Sequence, residues 1–307
     1  MTTGTTQPQS QSSATCATLL CDWGTSNLRL WALGPGGDVL AERASPEGMG
    51  SLTPDQFEPA LLRLCADLLA PDRVTPVLIC GMAGAKQGWI EAPYAQIPCA
   101  PAGTAPVTAP TTDPRLWVRI LPGLCQMDPP DVMRGEETQI AGFLALEPGF
   151  DGTLCLPGTH TKWVRVSDGQ VQHFRTAMTG ETFAVMSRHS VLRHSLSDDT
   201  PDEATFAEAL TRAARAPEGL LADLFTVRSG ALLSGSTPAQ AAGRLSGLLI
   251  GAELAGARDL WEDRETVIIG SPALTARYGA ALALLGARAR PAPTADLALH
   301  GLRAALS

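Results

Sequence analysis

The 307 residues contain no G-x-G-x-x-G, no Walker A run and no G-x-S-x-G elbow. Their absence removes the usual signatures of dinucleotide-binding, P-loop and α/β-hydrolase proteins. No C-x-x-C pair links the seven cysteines (Cys16, Cys21, Cys65, Cys80, Cys99, Cys125 and Cys155). An odd count of thiols, several inside apolar runs, reads as reduced core cysteines in a cytoplasmic protein rather than a disulfide framework or a zinc site. The five histidines show no metal-ligand spacing; His189 and His194 are five apart, off a single helical face. No apolar run reaches the roughly twenty residues of a membrane span. Residues 1–16 are mostly Thr, Gln and Ser, with neither a cationic start nor an apolar core. They are expected to be a disordered tail and not a targeting signal. Basic residues are outnumbered, 23 Lys and Arg against 31 Asp and Glu, for a net charge of −8. That balance argues against nucleic acid as the main partner, because phosphate backbones need clustered cations.

Hydrophobic residues make up 45% of the chain, enough for a core, and its length suits about two domains. One pattern occurs twice. Leu20-Cys21-Asp22-Trp23-Gly24-Thr25-Ser26-Asn27-Leu28-Arg29 and Leu154-Cys155-Leu156-Pro157-Gly158-Thr159-His160-Thr161-Lys162-Trp163 are each an apolar strand, a Gly-Thr turn with hydroxyl residues, and a second strand. Glycine lets backbone N–H groups approach phosphate oxygens, and hydroxyls add donors. Two such turns, one per half, predict related domains gripping a polyphosphate between them. Only the first turn follows an acid, Asp22, which suits a magnesium nucleotide with the metal beside that turn.

The remaining elements repeat in the same way. Strands are predicted over 18–21, 28–33 and 39–43, with a helix opened by Thr53-Pro54-Asp55-Gln56 that places Phe57, Leu61, Leu64 and Leu68 on one face. Strands over 77–80 and 117–121 follow, with loop over 98–114 and a helix over 135–146. The second half gives strands over 153–156, 162–167 and 170–175, with Asp168-Gly169 as a hairpin turn. Helices are predicted over 181–195, 202–214, 237–257 and 272–285 and from 294 onward, with a strand over 266–269. Three antiparallel strands followed by helix and parallel-strand units, twice over, define an α/β fold of two ribonuclease-H-like domains. Glu147-Pro148-Gly149 marks the expected boundary: residues 17–147, then 148–307.

Phosphoryl transfer to an alcohol needs a carboxylate near the attacking hydroxyl. Glu136, first after Gly135, is the candidate base and Glu137 the alternate; helix-start carboxylates favoured by the dipole are the other reading. Asp22 is the candidate metal ligand, although Asp also caps turns. Lys86, Gln87, Trp89, Glu91 and Tyr94 cluster after a strand of the first half. With Arg134 they suit a small polyhydroxylated acid, against the alternative of a surface loop pinned by Trp89. Gly270-Ser271, at a strand-to-helix junction, is placed to seat the adenosine half of a nucleotide.

Taken together, Asp22 to Arg29, Gly81-Met82-Ala83-Gly84 through Tyr94, Asp131-Val132-Met133-Arg134-Gly135-Glu136-Glu137-Thr138-Gln139, Leu156 to Trp163 and Met178-Thr179-Gly180-Glu181 resemble the 2-dehydro-3-deoxygalactonokinase family, in order along the chain. The resemblance implies an actin-like ATPase or sugar-kinase fold hinged around an interdomain cleft. The sugar acid would bind the first domain, around Lys86, Gln87, Trp89 and Arg134, and the nucleotide the second. It implies phosphorylation of 2-dehydro-3-deoxy-D-galactonate at O6 by ATP with magnesium. The phosphate-1 motif then falls on Asp22 with Gly24, Thr25, Ser26 and Asn27, the phosphate-2 motif on Gly158, Thr159, His160 and Thr161, and the adenosine motif near Gly270-Ser271. Two positions depart from the pattern: Glu136 where the superfamily usually has Asp, and Lys86 where Arg is common. Partners are then ATP and a small sugar acid, with no nucleic acid or membrane, and a homodimer left open. A kinase for another sugar and a non-catalytic sensor that kept the cleft are the alternatives.

Overall fold

The computed structural model describes residues 16–103, 105–197 and 200–306; the tail expected over residues 1–16 lies almost wholly outside them. In chain order the first half holds β1 (Thr18–Trp23), β2 (Leu28–Leu33), β3 (Val39–Ser45), α1 (Phe57–Cys65), β4 (Thr75–Gly81), β5 (Ala95–Gln96), β6 (Val107–Thr108), β7 (Leu116–Ile120), β8 (Leu124–Met127), β9 (Pro130–Met133) and α2 (Glu136–Leu146). The second holds β10 (Gly152–Leu156), β11 (Thr161–Ser167), β12 (Gln170–Ala177), α3 (Thr179–His189), α4 (Glu203–Arg215), α5 (Leu220–Leu233), α6 (Pro238–Gly256), α7 (Arg258–Trp261), β13 (Thr266–Ile268), α8 (Pro272–Leu284), β14 (Ala289–Pro291) and α9 (Leu297–Ala304). The chain forms two compact units: Met1–Pro93 with Ala105–Gly123, and Tyr94–Thr104 with Leu124–Ser307.

The sheet of the first unit runs β3-β2-β1-β4-β7-β6. β1, β2 and β3 are an antiparallel meander, β4 and β7 run parallel to β1, and β6 closes the edge antiparallel. Leu19, Cys21, Trp23, Leu28 and Leu30 bury against Phe57 and Leu61 of α1. Each such large apolar side chain contributes about 1.5–3 kcal/mol on burial. α1 is entered through the predicted capping box, with the Thr53 N–H donating to Gln56 Oε1 at 2.8 Å.

The second unit repeats the plan. Its main sheet runs β12-β11-β10-β13-β14, with β10, β11 and β12 antiparallel and β13 and β14 parallel to β10. Alternation along β10 and β11 separates two buried layers. Leu154, Leu156, Val164 and Val166 face Ile140 and Phe143 of α2 and Leu297 of α9. Cys155 and Trp163 face Phe206 and Leu210 of α4, Ile250 and Leu254 of α6, and Tyr278 of α8.

Three departures from the sequence reading have physical causes. The division expected after residue 147 differs from the observed one, because Leu124, Met133, Ile140 and Phe143 share a core with Leu154 and Phe174. β5, β8 and β9 form a small sheet of their own in the second unit, tied to β12 by a Cys99–Val171 bridge. α5 has no counterpart in the reading: Leu-Leu-Ala-Asp-Leu-Phe-Thr-Val is apolar on all sides and offers no helical period.

Candidate active site

In the first unit, Asp22 lies next to the end of β1, directly opposite Arg29 on β2 and beside Cys80 on β4. The Arg29 guanidinium donates to Asp22 Oδ2 at 2.8 Å, and the Cys80 thiol points at Oδ1 at 3.7 Å. The turn between β1 and β2 is closed by the Gly24 N–H donating to the Asn27 carbonyl at 2.9 Å, leaving Thr25, Ser26 and Asn27 exposed. Gly81 ends β4 with φ +90°, a left-handed conformation, and a Cβ there would sit 2.6 Å from the Trp23 carbonyl oxygen. Glycine is therefore what lets β4 finish against Asp22.

Beyond Gly81, Lys86 and Gln87 stand exposed on a tight turn. Trp89 does not. It is 7% exposed, its ring stacks on Phe57 at 6.0 Å and meets the edge of Trp23 at 6.2 Å, and its N–H donates to the Pro110 carbonyl at 3.2 Å. The expectation that Trp89 touches a substrate gives way to a core role: it pins the segment that displays Lys86 and Gln87.

In the second unit the turn between β10 and β11 occupies the same topological place as Gly24–Asn27. Gly158 is half-buried, and Thr159 and His160 are exposed. His160 Nε2 lies 2.6 Å from Glu181 Oε2, and the Glu181 N–H donates to the Thr159 carbonyl at 2.9 Å, so the start of α3 docks on the turn. Thr161 is fully buried, with its hydroxyl 3.0 Å from the Tyr278 hydroxyl. It cannot reach a phosphate with its side chain, which corrects its expected place among the direct nucleotide ligands. Lys162 is no solvated strand residue: it is 5% exposed, and Nζ donates to the Val132 carbonyl and the Thr176 hydroxyl, each at 2.8 Å. Thr176 in turn donates through N–H and hydroxyl to the Asp131 carboxylate, both at 2.7 Å, which fastens β9 to β12.

Arg134 and Tyr94, from different segments of this unit, stack with the guanidinium 4.4 Å from the ring centroid. Gly135 then starts α2 at φ +103°. This left-handed step, which only glycine adopts without strain, turns the chain so that two consecutive carboxylates fold back on the backbone before them. The Arg134 N–H donates to Glu136 Oε2 at 3.1 Å and the Gly135 N–H to Glu137 Oε2 at 2.6 Å. The two acids differ in surroundings. Glu137 is 1% exposed and also receives the Thr138 hydroxyl at 3.1 Å. Burial and the neighbouring Glu136 charge push its carboxyl up to about 8. Glu136 keeps partial solvent contact. Burial also pushes it up, but the Lys162 charge, its own and the Arg134 backbone amides, and His160 pull it back. The site therefore holds one carboxyl protonated at neutral pH beside one in the field of two basic side chains from the Gly158 hairpin.

Gly270 and Ser271 follow β13. Ser271 Oγ accepts the Leu274 N–H at 3.4 Å and caps α8, and Gly270 lies against Pro157 of the turn. Next to them a cavity of about 280 Å³ is lined by Gly158, Thr179, Phe183, Leu249, Leu274 and Tyr278, among others. Its apolar walls went unseen in the sequence because they come from α3, α6 and α8, each of which reads alone as an ordinary helix. Among the described residues, no group of three His, Cys, Asp or Glu is placed to hold a metal ion, and no helix is long and apolar enough to cross a membrane.

Two units with the same meander and the same parallel strands place the chain in the α/β class of ribonuclease-H-like pairs, the actin-like ATPase and sugar-kinase fold. Within that class the chain belongs to the 2-keto-3-deoxy-galactonokinase family, whose profile matches residues 22–305. It is 43% identical over 290 residues to a Rhizobium meliloti (strain 1021) protein named "Probable 2-dehydro-3-deoxygalactonokinase", covering 92% of this chain and 94% of that one. It is 36% identical over 268 residues to the 2-dehydro-3-deoxygalactonokinase of Escherichia coli (strain K12), covering 86% and 89%. A crystal structure from Sinorhizobium meliloti, described as that of "a putative 2-dehydro-3-deoxygalactonokinase protein", superposes with a TM-score of 0.85 over 94% of this chain and 95% of its own, at 43% identity.

Proposed function

We propose that this protein transfers the terminal phosphoryl group of ATP to the 6-hydroxyl of 2-dehydro-3-deoxy-D-galactonate. The observation that carries the reading, within the family just named, is the placement of Glu136. A carboxylate sits at the start of α2 in the field of Lys162 and near His160, both of which follow the Gly158-Thr159 turn. That arrangement supplies a proton acceptor and an anion-binding turn in one unit.

The sugar oxygen attacks the terminal phosphorus, and the bond from that phosphorus to the bridging oxygen of ADP breaks. Glu136 takes the hydroxyl proton. The amides and hydroxyls at Gly158 and Thr159 receive phosphate oxygens. The cavity beside Gly158 receives the adenosine, its apolar walls suiting a base. Arg134, two residues before Glu136, is assigned to the sugar acid by its chemistry.

A lone carboxylate fits magnesium, which typically takes one or two carboxylates and completes its shell with phosphate and water. Asp22 is that carboxylate, and the ion, when bound, neutralises phosphate charge. Asp22 is held by Arg29, so its position does not depend on the ion.

The test is ADP release with magnesium, ATP and 2-dehydro-3-deoxy-D-galactonate, run beside its C4 epimer and simple hexoses. Activity confined to the galactonate derivative is expected. Saturable ATP binding with no ADP release from any of them would overturn the assignment.

A further inference from the structure

Beneath the Gly158 turn lies a carboxylate that the proposed chemistry does not use. Glu253, on α6, is 9% exposed. Trp163 Nε1 donates to its Oε1 at 2.8 Å, and the Tyr278 hydroxyl donates to its Oε2 at 2.8 Å. Burial pushes its carboxyl up, and the nearby Thr179 hydroxyl, Trp163, Tyr278 and the Thr161 hydroxyl pull it back. A buried acid surrounded only by donors is satisfied as the carboxylate, whose oxygens accept and do not donate.

The groups around Glu253 come from the parts of the second unit that the nucleotide needs. Thr161 is the residue at which the Gly158-Thr159-His160 turn enters β11. Trp163 follows two residues later on the same face of that strand. Thr179 opens α3, and Tyr278 belongs to α8; both line the 280 Å³ cavity. The Tyr278 hydroxyl sits between Thr161 and Glu253, at 3.0 and 2.8 Å. One carboxylate thus fixes the phosphate turn and two cavity walls relative to one another. A core position that needed only filling would take a leucine, as its neighbours Ile250 and Leu254 show.

We infer that Glu253 is a positioning residue for the nucleotide, holding the Gly158 turn and the α3 and α8 walls of the adjoining cavity in the geometry that binds ATP. This rests on the kinase reading above for the identity of the ligand.

The experiment compares wild type with Tyr278→Phe and Glu253→Gln. The first removes one hydroxyl and no carbon. The second keeps shape but sets an amide donor against the surrounding donors. Loss of a hydrogen bond to a charged acceptor is expected to raise KM for ATP about tenfold or more, with KM for the sugar acid unchanged. An unchanged KM for ATP in Tyr278→Phe overturns the inference. So does an equal rise in both KM values with a lower melting temperature, since that marks a structural role alone. Calorimetric titration with ATP, without sugar acid, separates the two readings. Weaker ATP binding by Tyr278→Phe alongside a wild type that never releases ADP keeps the inference and sinks the kinase reading; a wild type that binds no ATP overturns both. Should Glu253→Gln fail to fold, Tyr278→Phe decides alone.

Discussion

The Gly135 N–H donates to the Glu137 carboxyl at 2.6 Å, fastening one of two adjacent acids in the core, while the other, Glu136, takes the Arg134 N–H at 3.1 Å and keeps solvent contact. Glu137 is the fastened one, buried and pushed up to about 8. In the unfolded chain a glutamate gives up its proton near 4.3. Between these values the native state holds the proton and the unfolded state does not, so stability falls as pH rises through that window. Below it both states are protonated, and above it both are ionised with the native state carrying a buried charge. Glu137→Gln keeps an oxygen for the Gly135 N–H and an amide that the Thr138 hydroxyl can accept from. Its melting temperature is expected to decline less than that of wild type between pH 5 and 8, and to exceed it at pH 8. Parallel curves would remove Glu137 as the source.

The partner acid carries the complementary expectation. Glu136→Gln should lower kcat by about 10²–10⁴-fold, the usual worth of a general base, while Glu137→Gln should cost less. The acid limb of the wild-type kcat/KM profile should lie above the ordinary carboxylate value, because burial raises Glu136, and it should vanish in Glu136→Gln. A retained limb, or the larger loss in Glu137→Gln, would reverse the two roles.

Which parts of this arrangement the sequence disclosed follows from how local each signal is. The two Gly-Thr hairpins were legible because strand, turn and strand are contiguous, and the meanders duly occupy equivalent places in both sheets. The start of α2 at Glu136 was legible because a glycine just before a run of helix formers marks a helix start. The unit boundary was not: α2 belongs with strands that follow it, through Ile140 and Phe143 packed on Leu154 and Val164, and no local pattern announces that. Trp89 looked available because it follows glycines and polar residues, yet Phe57 and Trp23, distant in sequence, enclose it. Glu253 and Tyr278 were invisible for the same reason. Each is a polar residue on the packed face of a largely apolar helix, and only the fold sets the Tyr278 hydroxyl between Thr161 and Glu253.

Asp22 offers a test in which activity and stability separate. Its side chain is 22% exposed and that of Arg29 39%, so solvent screens the pair and it is worth roughly 0–1 kcal/mol. Asp22→Asn should therefore melt close to wild type. Turnover at saturating ATP and magnesium should fall about a hundredfold or more, as when a preorganised electrostatic group is removed. Near-normal turnover would take Asp22 out of the reaction, and a large drop in melting temperature would make it structural.

Gly180 joins the phosphate turn to α3. A Cβ at this position would collide with the Gly158 carbonyl oxygen and come within 3.0 Å of the Thr159 Cα. Both obstacles are backbone, so neither can swing aside as a side chain end would. Gly180→Ala must therefore push the start of α3 away from the turn. That movement breaks the bond from the Glu181 N–H to the Thr159 carbonyl and the His160–Glu181 contact, and it widens the cavity at Gly158 and Thr179. Overpacking of this kind costs about 1–3 kcal/mol, only partly offset by the better helix propensity of alanine, about 1 kcal/mol. The variant should melt lower than wild type and show a raised KM for ATP. His160→Ala removes an exposed pair worth roughly 0–1 kcal/mol and should leave the melting temperature nearly unchanged. Equal melting and equal ATP affinity in Gly180→Ala would mean that α3 does not shape the nucleotide site.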